Sequence, residues 1–498
     1  MSRAIAVALV LLLLLTGAPA SAKKQRPGKK DVEAGNAPLP AGVTVTALTS
    51  RHVAVTWGTQ APTYAQVELS PQPFKGKAPE GSLFPTPALS ATGYTRVLSR
   101  VHDLCPADLT PNTSYYVRVR NRDQAGTVTV SEPLTVRTPP ALARAEPAEF
   151  VRKDWIGLYA TDQWMGNKRI RDNLFKAPYI RGASVSDTWS DVEPGRGRFH
   201  WEVLDQALAE IEPTGKFVKL ALRGASKMGG KRNPHWGEEG VEAVGGRETG
   251  KHAGEDKVVK WDPVFACRWW QFVTAYGQRY DERLRGRLAF VGISGAGSGE
   301  MNTRAQTIDA YRALGYTDAQ IEANMLWVWR NLLEIFAEAF PHARLSIVPG
   351  AIPLVGRKKS IERDLGTEVV RAAVEAYGRR LVLSHSGIAV QKTGVLISTQ
   401  KGHRDKVWIG GLTEQPTKAQ DPVVALRELF ERVVFPEGYA YLTIHSDGLG
   451  INPNRWGDLK PLKDYLIQVE RRFAEMRSRR DEPASAPVPA APGRLAPK

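Results

Sequence analysis

Cysteine is nearly absent from this chain, with only Cys105 and Cys267 among 498 residues. The two fall in different predicted domains, and sequence alone does not bring them within the ~4.4–6.8 Å Cα separation that a bridge requires. Two buried free thiols are therefore expected, with a bridge as the alternative open to an exported protein. Long apolar runs are missing as well. Beyond the first residues no segment approaches ~18 continuous apolar positions, so no further membrane span is expected. His235 and His252 lack the spacing and partner carboxylates of a metal site, and neither a metal nor a cofactor is expected. No nucleic-acid-binding motif is present, which removes nucleic acid from the expected partners despite a net charge of +16.

What is there begins with an address. Arg3 precedes the apolar run AIAVALVLLLLL, and Ala20-Ser21-Ala22 follows as an A-x-A cleavage site. Residues 1–22 read as a signal peptide, cleaved after Ala22, and the protein is expected to be secreted, periplasmic or at the cell surface. No cysteine stands near that site, which argues against a lipid anchor, and no transmembrane anchor is expected after cleavage. Residues 23–40 form a basic linker whose stretch KKQRPGKK carries five positive charges. Such an arm is either a solvated connector or a lure for an anionic envelope polymer. Hydrophobic content of 42% and charged content of 24% are those of a globular protein, and the length favours two folded units over one core.

The chain divides by rhythm. From residue 41 to 138, short alternating segments (VTVTAL, HVAVTW, AQVELS, SYYVRVRN, GTVTVS) are separated by turn residues, the pattern of an all-β sandwich. Trp57 ends the second segment, where it can fill the space between two sheets. The phrase Leu109-Thr-Pro111-Asn-Thr113-Ser-Tyr115 resembles the fibronectin type III signature, which implies a tyrosine corner at Tyr115 with Val117 and Val119 pointing inward. Nothing in this segment has the makings of a catalytic site, and a spacer or adhesive module is expected.

Residues 139–152 read as a linker. From 153 to 480, short and continuously apolar runs begin near 155, 179, 217, 288, 343, 380, 406 and 439 and alternate with helical patterns. Thr317 with Gln320 makes a capping box ahead of Ile321, Met325, Val328, Leu332 and Ile335, and Asp421-Pro422 marks another helix start. Eight strand–helix units predict an α/β fold of the (β/α)8 TIM-barrel type. No Gly-rich dinucleotide fingerprint follows the first strand, which argues against an open doubly wound sheet. Residues 481–498 form an Ala/Pro-rich tail expected to be disordered.

A barrel of this kind carries its chemistry at the C-terminal ends of its strands. Glu300 follows the fourth predicted strand and Glu414 the seventh. Two carboxylates so placed suit glycoside cleavage, one protonating the leaving oxygen while the other attacks or activates water. The stretch Trp189-Ser-Asp-Val-Glu193-Pro194-Gly-Arg-Gly197-Arg-Phe199-His-Trp201 resembles the second-strand region of clan A glycoside hydrolases, particularly barrel β-galactosidases and their relatives. The resemblance implies Glu300 as acid/base and Glu414 as nucleophile. One departure stands out, since the clan places Asn immediately before the acid/base and this chain has Gly299.

Around the pair, the expected substrate-binding residues are Trp189, Arg223, Trp236, Asn302, His385 and His445. The tryptophans stack on a sugar ring or pack in the core, and both roles are open. Arg223 holds the nucleophile carboxylate or makes an ordinary barrel salt bridge. The histidines position hydroxyls or serve the structure. Glu193 is expected to fix its own loop, and the polar, Gly-rich segment 227–262 to act as a lid or wall. The function so read is a secreted retaining glycoside hydrolase acting on a polysaccharide or glycoconjugate. The alternative is a non-catalytic carbohydrate-binding or cell-envelope protein on a degenerate barrel.

Overall fold

Alternation of small, β-branched and polar residues gives the first part of the chain its strands. The computed structural model describes residues 40–76, 82–83, 94–141, 147–160, 176–224, 233–244, 257–295, 305–349, 365–388, 400, 402–413, 421–444 and 460–478. Seven strands come first: β1 (Ala41–Ala47), β2 (Val53–Ser70), β3 (Ser82–Leu83), β4 (Ser99–Leu104), β5 (Ser114–Arg122), β6 (Val128–Val130) and β7 (Leu134–Arg137). The segments HVAVTW and AQVELS, which the sequence separates, are one continuous strand, β2. Its first half pairs with β1 and β4, its second with β3 and β5. A register shift between Gly58 and Thr63 absorbs the change of partners and accommodates Pro62. Trp57 is buried between the layers, and its indole N–H donates to Asn121 Oδ1 at 2.9 Å. The Tyr115 hydroxyl accepts from the Thr110 amide at 2.9 Å, closing a tyrosine corner, while Val117 and Val119 are buried.

The second part closes on itself. Strands β8 (Gly157–Ala160), β9 (Ile180–Thr188) and β10 (Phe217–Arg223) are followed by a small hairpin of β11 (Ala243–Val244) and β12 (Lys257–Val258). Then come β13 (Leu288–Gly292), β14 (Arg344–Ile347), β15 (Leu381–Ile388), β16 (Trp408–Thr413) and β17 (Tyr441–Ile444). The parallel ring runs β10-β13-β14-β15-β16-β17-β8-β9 and back to β10, so each of the eight expected runs supplies one strand of a closed barrel. The Thr317–Gln320 capping box and the Asp421 N-cap both form, on the helices Asp318–Ala339 and Pro422–Leu429.

The lumen is filled by rings. Phe290 and Tyr441 lie 4.5 Å apart by centroid, and Tyr159 stands 5.9 Å from each. Glycine is required opposite them: a Cβ on Gly410 would lie 2.1 Å from the Tyr441 ring, and one on Gly182 would lie 2.3 Å from Tyr159. The N-terminal end is sealed by the short helix Pro147–Val151. There Arg344 donates to the carbonyls of Glu149, Phe150 and Arg152 and stacks 4.8 Å from the Trp155 ring, and Trp408 donates to Phe150 O.

The thiols overturn their expectation. Cys105 and Cys267 form a disulfide, their Cα atoms 4.9 Å apart. Cys105 directly follows β4, Cys267 lies on the helix Pro263–Tyr280, and the two elements pack together. Polar contacts extend the junction. The Ser50 amide and hydroxyl both donate to Glu338, at 2.7 and 2.5 Å, and His52 Nε2 lies 2.8 Å from Asn331 Oδ1. Arg330 pairs with Asp108 at 2.5 Å. The sandwich is therefore fastened to the barrel's helices, not hung from them as a spacer.

Candidate active site

The strand ends set the frame. Glu300, Asn302, Glu414 and His445 lie outside the described residues. The fourth strand of the ring, β13, continues through Ile293, whose amide donates to Ser346 O at 2.8 Å. Ser294 Oγ donates to Leu222 O at 2.5 Å, and Trp269 Nε1 donates to Ser294 O at 2.9 Å. Gly295 follows at φ +111°, where a Cβ would lie 2.1 Å from the Trp269 indole nitrogen. The first residues of the loop toward Glu300 are thus pinned to the helix Pro263–Tyr280. The seventh strand, β16, ends at Thr413, one residue before Glu414.

Strand alternation sorts the polar residues. On β10, Lys219 lies in register with Ser184 and Phe290, and Arg223 with Thr188. The Lys219 ammonium stands 5.5 Å from the Phe290 ring and 5.6 Å from Tyr441, inside the lumen, where cation–π attraction favours it. Arg223, four residues on, shares that parity at the mouth. Next to these, the hydroxyls of Ser346, Ser384 and Tyr441 form a chain with 2.5 Å links. Burial pushes the Tyr441 hydroxyl up to about 12, so it stays protonated. Lys219 and the hydroxyl chain were missed by sequence reasoning, although the alternation in Phe217-Val-Lys-Leu-Ala-Leu-Arg223 carries the signal for Lys219.

Other residues turn away from the lumen. Asp187, on the opposite parity of β9, accepts from the Tyr276 hydroxyl at 2.7 Å on the helix side. His385 follows the lumen-side Ser384 on β15, in register with Gly411, and is buried. Its parity directs it to the helix layer, not to a substrate in the lumen.

The loop after β9 is built around Glu193. Trp189 is fully buried in a cluster with Trp236, Phe265, Trp269 and Phe272. Its indole N–H donates to Glu193 Oε2 at 2.9 Å. Of the two roles open to Trp189, the structure fills the packing one, since no face is left for a sugar. The other Glu193 oxygen accepts from the Gly197 amide at 2.8 Å, and the Glu193 carbonyl accepts from Trp236 Nε1 at 3.1 Å. Burial raises the pKa of this carboxyl, with the two donors pulling the other way. Glu193 therefore fixes the loop. Trp236 is only partly buried and keeps surface available. Among the described residues no cluster of three or more His, Cys, Asp or Glu side chains is placed to hold a metal ion.

Comparison with known proteins adds the following. No family model matches the chain, and no curated protein matches it. Among solved structures it is similar to the catalytic domain of a β-amylase from Paenibacillus polymyxa, with TM-score 0.46, 11% identity, 64% of this chain covered and 99% of that one. It is also similar to a GH42 β-galactosidase from G. stearothermophilus in a catalytic mutant form, with TM-score 0.42 and 13% identity over 65% of this chain and 57% of that one. The fn3 domain of human contactin 1 is similar to a shorter part, with TM-score 0.16 and 18% identity, covering 24% of this chain and 99% of that domain.

Proposed function

We propose that this chain is a secreted glycoside hydrolase that cleaves a polysaccharide or glycoconjugate with retention, Glu300 serving as acid/base and Glu414 as nucleophile. The observation that carries the reading is the closed ring itself. Its fourth and seventh strands, β13 and β16, lead at their C-terminal ends into the segments holding these two glutamates. In this mechanism the Glu414 carboxylate attacks the anomeric carbon as the glycosidic C–O bond breaks, and Glu300 passes its proton to the departing oxygen. Glu300 then takes a proton from water, which displaces Glu414 and releases the sugar with its configuration retained. Arg223 at the mouth favours an ionised nucleophile, and Trp236, Asn302 and His445 contact the sugar. The apolar leader and the disulfide both support export to an oxidising compartment. The basic arm at 23–30 attracts an anionic envelope polymer there.

The test uses the mature chain with 4-nitrophenyl and alkyl β-D-glycosides, which are good and poor leaving groups respectively, and with soluble polysaccharides. Glu300→Gln is expected to slow the alkyl glycosides far more than the nitrophenyl ones, and Glu414→Gln to abolish both. Equal turnover by wild type and Glu414→Gln would overturn the assignment. One observation favours a second reading. Gly299 stands where the clan carries the Asn that bonds the substrate 2-hydroxyl, and a barrel without that bond suits a non-catalytic carbohydrate-binding protein. Glycan binding by wild type with no turnover of any glycoside would select it.

A further inference from the structure

We infer that Asp103, a residue of the sandwich, is a positioning residue for the carbohydrate site of the barrel, holding two loops of the mouth together as one wall. The inference rests on the carbohydrate reading above.

A buried carboxylate must find partners, and Asp103, wholly buried on β4, finds most of its own in the barrel. Oδ2 accepts from Nε of Arg268 at 2.7 Å. Oδ1 accepts from Thr56 Oγ1 at 2.9 Å and from Arg196 Nη2. Arg196 belongs to the turn Glu193–Arg198, which follows β9. Arg268 is also buried, on the helix Pro263–Tyr280, and its Nη1 donates to the carbonyls of Trp236 at 2.9 Å and Glu239 at 2.6 Å. Those carbonyls lie in the segment 233–244, which follows β10.

One carboxylate therefore joins the loop after the second barrel strand to the loop after the third, and the Trp236–Glu193 hydrogen bond closes the ring between them. The sandwich grips the second loop at two further points. Arg96 binds Glu242 at 3.0 Å and Leu314 O at 2.8 Å, and Ser99 sits against Gly240, where a Cβ would lie 2.5 Å from its hydroxyl. Both loops leave strands at the C-terminal end of the barrel, beside Thr188 and Arg223. The charges make Asp103 the weak point: without its carboxylate, the Arg196 and Arg268 guanidiniums lose the anion they share, and their like charges favour separation of the two loops. Asp103 touches no ligand in this arrangement and acts through Arg196, Arg268 and the loops that they hold.

The experiment uses the full mature chain. Asp103→Asn removes the hub. Arg196→Gln cuts only the first arm and suits the fold, because the Arg196 side chain is 35% exposed. Hydrogen exchange is read over 193–198 and 233–244, and KM and kcat are read on 4-nitrophenyl β-D-glycosides and soluble β-glycans. In Arg196→Gln, exchange in 193–198 is expected to rise by about tenfold while β13–β17 keep wild-type protection. KM for the glycans is expected to rise by about fivefold with kcat within about twofold. Asp103→Asn is expected to extend both effects to 233–244, and Arg196→Lys to return KM toward wild type. Wild-type exchange in both loops overturns the inference, and so does faster exchange with an unchanged KM. A wild type that turns over no glycoside sinks the catalytic reading instead, and glycan affinity then replaces KM in the same comparison.

Discussion

Replacing both cysteines with serine tests how firmly the sandwich and barrel are one unit. The bridge closes a ring across a sequence separation of 162 residues. The chain-entropy relation for a ring of that size gives about 5 kcal/mol at 25 °C, and native bridges commonly deliver about 2–4. The polar contacts at Ser50, His52, Asp103 and Asp108 remain in the double variant, so its folded state should keep the same junction. The expected loss is therefore about 3–5 kcal/mol, expressed mainly through a freer unfolded chain. Urea unfolding followed by tryptophan fluorescence reads it, since Trp57 reports on the sandwich and Trp155 and Trp408 on the barrel. One transition with a lowered midpoint and a somewhat steeper slope is the expected result, because the unbridged unfolded chain exposes more surface. A double variant within about 0.5 kcal/mol of wild type would refute the reasoning, because a change that small is typical of an incidental surface substitution.

Two further outcomes follow from buried groups. His52 is pushed down from 6.5 to about 4 by burial, so between those values the unfolded chain binds more protons and stability falls as pH falls through the window, by about 3 kcal/mol for this group. Glu334, pushed up to about 7 by burial, works in the opposite sense between about 7 and its ordinary 4.5, which is why the comparison must be made against His52→Gln. Urea midpoints from pH 7 to 4 should fall less steeply in that variant, and parallel profiles would count against the assignment. Gly410→Ala, with its methyl driven into the Tyr441 ring, should cost about 1–3 kcal/mol or more in thermal unfolding, and an unchanged melting temperature would show that the lumen rings give way freely.

Much of the architecture could be read from the residues because burial on both faces leaves a plain mark. The eight barrel strands are short apolar runs, and each run falls where its strand does. The capping box at Thr317 and the N-cap at Asp421 were equally legible, since capping depends only on neighbours three residues away. What escaped was non-local. The disulfide depends on how β4 lies against the helix Pro263–Tyr280, which no spacing encodes. The unity of β2 was hidden by Pro62, whose break the register shift absorbs. Within the site, Trp189 offered sequence reasoning two roles, and only the surrounding rings decide for the core. His385 likewise offered two roles, and its parity on β15 favours the structural one. Asp103 was invisible because its barrel partners, Arg196 on a loop and Arg268 on a helix, lie far away in sequence.

The sealed floor has a consequence for traffic. Among the described residues, Arg344 and Trp408 are tied to the backbone of Pro147–Val151, and Tyr159, Phe290 and Tyr441 fill the lumen above, so the floor of the barrel offers no passage. If the proposed polysaccharide is the substrate, it is not threaded through that floor, and a long chain lies across the mouth with both arms in solvent. Any fragment released there leaves by the route along which the next segment arrives. Departure and arrival then compete for one opening, and the rate of turnover on long chains becomes sensitive to how quickly the mouth is vacated.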